Sequence, residues 1–186
     1  QSSHPEKGDY TESYQCIYHE HIAKMIADRP WLWATHVWNM FDFAVPMWER
    51  GGVPARNLKG MVTFDRKIKK DSYYWYKANW SKEPVLYLTQ RRNVDRERKE
   101  TSVTVYSNIG TPVVYLNGKP LEGIRKGYTE VHYVFGKVTL AQGKNILKAV
   151  VSYQGKEYVD EIEWNYTGEK NRGTIVHENK KEHAGW

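Results

Sequence analysis

Trp38, Asn57 and Lys59 are residues of this chain whose types and spacing could do binding chemistry. An indole face can cover the apolar face of a pyranose, combining buried area with CH-to-π contact. A carboxamide and an ammonium two positions apart on an extended segment, as in Asn57-Leu58-Lys59-Gly60, project to the same side and together can hold a hydroxyl or a carboxylate. Asn39 and Asp42 lie near Trp38 in sequence and could orient a hydroxyl or a loop backbone, although Asp42, between two Phe residues, reads mainly as a buried structural acid. Read from residue types alone, Trp38 is more readily one more core aromatic beside Trp31 and Trp33, Lys59 can be a solvated loop lysine, and Arg56 an exposed arginine that needs no explanation.

The elements that must position these groups follow from pattern. Asp9 with Glu12 makes a capping-box-like start, and Tyr14, Ile17, Tyr18, Ile22, Met25 and Ile26 keep helical spacing until Pro30 ends the run. Residues 31 to 38 are apolar or aromatic at nearly every position, which suits a strand buried on both faces, as in a parallel barrel. Residues 44 to 60 hold Pro46, Gly51, Gly52, Pro54 and Gly60 and read as a long loop, the place where such folds keep function. Lys70 to Trp80 reads as a second helix with Tyr73, Tyr76, Lys77 and Trp80 on one side.

From Pro84 the period changes. Segments near 84 to 89, 102 to 107, 112 to 116, 129 to 140, 145 to 153 and 157 to 164 are rich in Val, Tyr, Ile, Leu and Thr, with turn residues between them. Asn117-Gly118 is the strongest tight-turn signal in the chain. Six or so short strands at this spacing predict an antiparallel, immunoglobulin-like sandwich. The predicted organisation is a first unit at 1 to 80, a linker or edge strand at 81 to 100 where RRNVDRERKE is too charged for a core, a β-sandwich at 101 to 166, and a polar tail at 167 to 186.

Lys plus Arg exceed Asp plus Glu by 28 − 22 = 6. The basic residues fall in short clusters such as Lys67, Lys69 and Lys70, or Arg91, Arg92, Arg96 and Arg98, which read as solvated faces and argue against a nucleic-acid partner. No apolar run reaches the roughly 20 residues of a membrane-spanning helix. The lone Cys16 cannot form an internal disulfide, and His19 and His21, which with His4 are the imaginable metal ligands, fall on different faces of their helix; no metal site and no cofactor is expected. G-x-S-x-G, P-loop and G-x-G-x-x-G motifs are absent from the sequence. Tyr115, Tyr128 and Tyr133 could stack on glycans if they stand exposed on the sandwich.

WATHVWNMFDFAV followed by NLKGMVTFDRKIKKDSYYWYKANW resembles the last barrel strand and last barrel helix of family 2 glycoside hydrolases, the β-galactosidase and β-glucuronidase group. The resemblance is close over 9 to 108 and looser over 109 to 166, where VTVYSN and VVYLNGKPL are similar to the accessory sandwiches that follow the barrel. It implies a mixed fold, the carboxyl-terminal end of a (β/α)₈ barrel followed by the sandwich. It places Trp38, within HVWNMFDF, at the position of the substrate-contacting Trp on the eighth strand, and Asn57 and Lys59 at an Asn-x-Lys motif that contacts the sugar acid in the glucuronidase branch. Galactosidase relatives share a similar NxKG-V-T-x-DRK run. DRKIKKDSYYWYKANW is read as scaffold, with Asp65 and Arg66 as an ion pair or cap and its lysines solvated.

Retaining enzymes of this kind need two carboxyl groups about 5 to 5.5 Å apart. Glu12, Glu20, Asp42 and Glu49 lie in no context resembling the family's catalytic glutamates. The resemblance therefore implies a carboxyl-terminal part of an enzyme that hydrolyses terminal β-galactosides with retention, contributing sugar-subsite residues and no catalytic residue, inactive alone. The implied partners are a β-linked glycan or galactoside and the rest of the parent enzyme or further copies of the chain, and the implied setting is periplasmic or secreted. Two alternatives are carried forward, a carbohydrate-binding or structural β-sandwich module and a β-glucuronidase fragment.

Overall fold

The computed structural model describes residues 10–48 and 53–168. Two helices come first. Helix α1 (Glu12–Ala27) is capped by Thr11, whose hydroxyl accepts from the Tyr14 N–H, and α2 (Asp71–Trp80) follows Lys70. Between them runs a ribbon of two short strands, β1 (Phe43–Ala44) and β2 (Arg56–Asn57). The remaining strands are β3 (Leu86–Leu88), β4 (Asp95–Arg96), β5 (Glu100–Ser107), β6 (Val113–Leu116), β7 (Lys119–Pro120), β8 (Ile124–Lys126), β9 (His132–Thr139), β10 (Gly143–Tyr153) and β11 (Lys156–Tyr166).

These nine build two sheets, ordered β4-β11-β10-β6-β7 and β3-β5-β9-β8, in which every pairing is antiparallel except β4 with β11. Alternation decides which face is inside. Along β10, Asn145, Leu147, Ala149 and Val151 are buried while Lys144, Ile146 and Lys148 face water. The inward set from both sheets, including Leu88, Val103, Val105 and Phe135 on one side and Val114, Leu147, Ile162 and Trp164 on the other, forms one shared core. Asn117 and Gly118, both at positive φ, turn β6 into β7, and the Asn117 carboxamide accepts from the Ile146 N–H at 2.8 Å. A second cluster seats α2 on β3 and β5 through Trp75, Ala78, Val85, Tyr87 and Tyr106.

The structure departs from the sequence reading at several points. Residues 31 to 38 form no strand: they hold no regular structure and have no sheet partner, and Trp31 and Trp33 stand exposed. Helix α1 buries Glu12, Ser13, Cys16, His19 and Glu20, leaving Ile17, Tyr18 and Met25 in water, because the surface it meets offers Arg92, Tyr76, Tyr106 and His132. The segment RRNVDRERKE is partly core. Asn93 and Arg96 are buried, with the Arg96 guanidinium 3.6 Å above the Trp164 ring and hydrogen-bonded to Gln90 at 2.8 Å, while Arg91 pairs with Asp160 and Arg92 with Glu12 and Asp71. Lys70 is likewise not solvated, since Asp42 holds it at 2.8 Å. The tail expected at 167 to 186 lies, from residue 169 on, outside the described residues, as do Asp9, His4 and Glu49.

Candidate functional site

The rim around Trp38 is built from backbone clamps. The Met61 and Val62 N–H groups donate to the Asn39 and Met40 carbonyls, and the Asp42 N–H donates to Val62 at 2.9 Å. Gly60 lies flat against the Phe41–Asp42 peptide, so close that a Cβ there would sit 2.0 Å from the Asp42 nitrogen. No residue with a side chain fits that approach without moving the backbone. The buried Asp42 carboxylate locks the crossing by accepting from the Gly60 N–H at 2.9 Å and from the Lys70 ammonium, which also donates to the Leu58 carbonyl. Asp42 is thus the structural acid that its flanking Phe residues predicted.

The helices fix the same loop from behind. Gln15 on α1 donates to the Lys59 and Gly60 carbonyls at 2.9 and 3.1 Å, and its own amide oxygen accepts from Ser72 on α2. Against this rigid base Trp38 is 67% exposed, its indole edge-on to Phe43 with centroids 5.8 Å apart. Phe43 is in turn the register partner of Asn57, so the ribbon brings Trp38 and the Asn57 loop to one end of the molecule.

Asn57 and Lys59 do not present their side chains as an equal pair. Asn57 is buried and its carboxamide oxygen accepts from the Lys59 N–H at 2.9 Å, whereas Lys59 is exposed and makes no ion pair among the described residues. Arg56 lies over the Phe64 ring at 4.3 Å. Asp65 and Arg66 do not pair with each other. The Asp65 carboxylate accepts from Thr63 and the Lys67 N–H, which holds it below its ordinary pKa, and Arg66 donates to the Phe64 carbonyl while covering Phe41 at 3.9 Å.

No protein-family model matches the sequence. The chain is 39% identical over 158 residues to a β-glucuronidase of Bacteroides fragilis, a match covering 84% of this chain and 22% of that one. Among solved structures, a candidate β-galactosidase of Bacteroides fragilis is 72% identical with a TM-score of 0.85, covering 89% of this chain and 25% of that chain. An FMN-binding β-glucuronidase of Faecalibacterium prausnitzii is 40% identical with a TM-score of 0.78, covering 91% and 25%. The chain belongs to the β-galactosidase and β-glucuronidase family. It spans about a quarter or less of the length of these relatives.

Glycosidases use a pair of acids tuned apart, and this segment holds one such pair. Glu12 and Asp71 are buried side by side. Burial, followed by the Glu12 charge, pushes Asp71 up to about 7, while Arg92 and the Asp71 N–H hold Glu12 below its ordinary value against its own burial. Yet every carboxylate oxygen is already engaged: those of Glu12 accept from the Asp71 N–H and from Arg92, and those of Asp71 from Tyr87, Arg92 and the Gln90 N–H. Nothing is left to face a substrate. The pair fastens α1 and α2 to the sandwich, and the sequence carried no signal for it beyond the charges of three distant segments.

Glu20, also buried, accepts from Tyr106 and lies 3.7 Å from His132; its burial raises it to about 7, and burial lowers His132 to about 4. His19 shares a hydrogen with Tyr76 at 2.9 Å and His21 stands edge-on to Tyr128, so the two do not converge, and no group of three or more potential metal ligands occurs among the described residues. Tyr133 is buried under Lys126, Tyr128 is half out of its loop beside His132, and Tyr115 opens onto the outer face of the five-stranded sheet.

Proposed function

We propose that this chain is the carboxyl-terminal part of a retaining glycoside hydrolase acting on terminal β-glycosides, comprising the end of a (β/α)₈ barrel within residues 1 to 80 and an immunoglobulin-like sandwich over 101 to 166, which the segment 81 to 100 joins through the strands β3 and β4. Trp38 is the platform for the sugar ring, Lys59 is a polar contact, and Asn57 positions Lys59 through the loop backbone. The observation that carries the reading is the exposed indole of Trp38, held beside Phe43 on a base clamped by Gly60, Asp42 and Lys70. The catalytic acids belong to other parts of the parent enzyme. The exposed aromatics at 31 to 38 and the apolar side of α1 are the surfaces those parts cover, so the chain alone associates with itself.

An acidic sugar, a β-glucuronide, is the reading favoured by the Lys59 ammonium, which has no ion-pair partner among the described residues, since a cation gains more from a carboxylate than from a neutral hydroxyl. The names of two relatives above agree with it. A β-galactoside is the second reading, favoured by the 72% identical relative.

The purified chain is expected to release no phenol from aryl β-galactoside or β-glucuronide; turnover by it overturns the proposal that the acids lie elsewhere. In the enzyme that contains this segment, Trp38→Ala is expected to lower kcat/KM by roughly 100-fold, in the range of a lost positioning contact. Lys59→Ala should depress only the glucuronide rate. Equal loss on both aryl glycosides removes the acidic-sugar reading.

A further inference from the structure

The outer face of the five-stranded sheet, away from the Trp38 rim, holds a groove of about 350 Å³. This lies at the small end of ligand-sized pockets. Its floor is set by register. Tyr115 on β6, Lys148 on β10 and Glu161 on β11 are successive cross-strand partners, Ile146 and Val150 flank Lys148 on the same face of β10, and Glu157 lies four residues from Glu161 on β11.

The charged groups here are not satisfied by one another. Lys148 and Glu161 are directly opposed, yet among the described residues neither they nor Glu157 make an ion pair or a side-chain hydrogen bond. The neighbouring pair Lys144 and Glu163 does close, at 2.5 Å. We propose that this groove binds a neutral saccharide, with Tyr115 as the ring against its apolar face and Lys148, Glu157 and Glu161 as donors and acceptors for its hydroxyls.

The charge pattern selects the ligand class. Two carboxylates beside one ammonium repel an anionic sugar or a phosphate, and with Lys148 set directly opposite Glu161 the floor offers no single-sign stripe to a cationic peptide. A polyol serves both signs because each hydroxyl donates and accepts. A metal is excluded by distance, since residues four apart on one strand are separated by roughly 13 Å. The half-buried ring of Tyr115 and the aliphatic floor of Ile146 and Val150 supply the apolar contact that a bare charged face lacks.

The test is a titration of the intact chain, followed by amide NMR, with neutral β-1,4-linked tetrasaccharides of glucose, galactose and xylose and with a tetrauronate. At least one neutral sugar is expected to shift Tyr115, Ile146, Lys148, Val150 and Glu161 with a dissociation constant of about 1 mM, a modest affinity by the usual scale. Tyr115→Ala should weaken it by roughly tenfold, as loss of one stacking ring does, and Lys148→Ala should weaken it to a smaller degree, with both variants keeping the parental thermal midpoint. The proposal is overturned if no neutral sugar shifts these residues, if the shifts fall only on the Trp38 rim, if the tetrauronate binds as well, if Tyr115→Ala binds unchanged, or if the same residues shift with protein concentration alone. Because binding is read without turnover, its failure leaves the glycosidase reading untouched.

Discussion

The sandwich and the amino-terminal rim treat the same residue in opposite ways. Trp75 and Trp164 are each 1% exposed, one on the face of α2 that packs on the sandwich and one between the sheets, whereas Trp33 is 95% and Trp31 72% exposed. Helix α1 repeats the contrast within one element, since it buries two glutamates and a histidine and leaves Ile17 and Tyr18 outside. Exposed single apolar residues are ordinary, but a run of them beside an apolar helix face marks a surface made to be covered. The difference teaches that the two-sheet unit completes its own core, while the rim gets its rigidity from polar clamps and keeps its apolar side for something else.

The strongest way to break this comparison is to truncate a tryptophan from each region. Trp164→Ala is expected to cost about 3 to 5 kcal/mol, through the cavity and because the Arg96 guanidinium loses the ring beneath it. Trp33→Ala should stay within about 0.5 kcal/mol. Urea unfolding of both variants measures this, and comparable midpoint shifts would mean that Trp33 is packed after all.

Next in size is the polar fastening between the regions. Arg92→Ala leaves Glu12 and Asp71 facing one another with no cation, and breaking such a partly buried network costs about 3 kcal/mol. Lys24→Ala, which breaks the exposed pair with Asp28, should change stability by less than about 0.5 kcal/mol. If Arg92→Ala is as mild as Lys24→Ala in the same unfolding assay, the helices are not held by this cluster.

These two contrasts also show what could be read beforehand. The long strands β5, β9, β10 and β11 were legible because alternation with period two is a strong signal, and Asn117-Gly118 marked its turn through positive φ at both positions. The three-residue strand β8 was missed, and β4 was legible only as the edge-strand alternative to a linker, because segments that short carry no period. The polar inner face of α1 was not legible: Glu12 and Glu20 belong inside only because Arg92 and Tyr106 arrive from 80 and 86 residues away. Trp38, Asn57 and Lys59 were singled out by type and by family likeness, but the part of Asn57 as a loop anchor depends on a hydrogen bond that no spacing rule distinguishes from a side-by-side display.

A pH experiment sharpens the view of the fastening. Glu20 faces Tyr106 from β5, His132 from β9, Asp71 from α2 and Cys16 on its own helix. Its pKa rises from the ordinary 4.5 to about 7, chiefly by burial. The folded chain therefore binds more protons than the unfolded chain between these values, so the contribution of Glu20 to stability is complete below pH 4.5 and is lost as pH rises through about 7. His19 and His132, lowered from 6.5 to about 4 by burial, act in the opposite sense: their contribution is present above pH 6.5 and lost as pH falls through about 4. The opposing slopes partly cancel in the parent chain. Glu20→Gln keeps an acceptor for Tyr106 but cannot ionise, so its stability relative to the parent should improve by about 2 kcal/mol between pH 4.5 and 7.5. A flat difference across that range would show that Glu20 titrates normally.

A small change in stability with a large change in association tests the covered-surface side of the comparison. Replacing Trp31, Trp33 and Trp38 together by Ser removes three large apolar side chains that touch little of the chain's own core, so the unfolding midpoint should move by less than about 1 kcal/mol in equivalent stability. Association should respond far more. Each exposed indole is a large apolar surface whose burial is favourable at roughly 25 cal/mol per Å², and a contact between two copies would bury several at once. Sedimentation velocity of the parent chain is expected to show self-association that the triple variant loses while its circular dichroism spectrum stays the same. A parent chain that remains monomeric at every concentration, with a triple variant that unfolds more easily, would reverse the assignment: the tryptophans would then be internal struts, and the apolar side of the rim would need no partner.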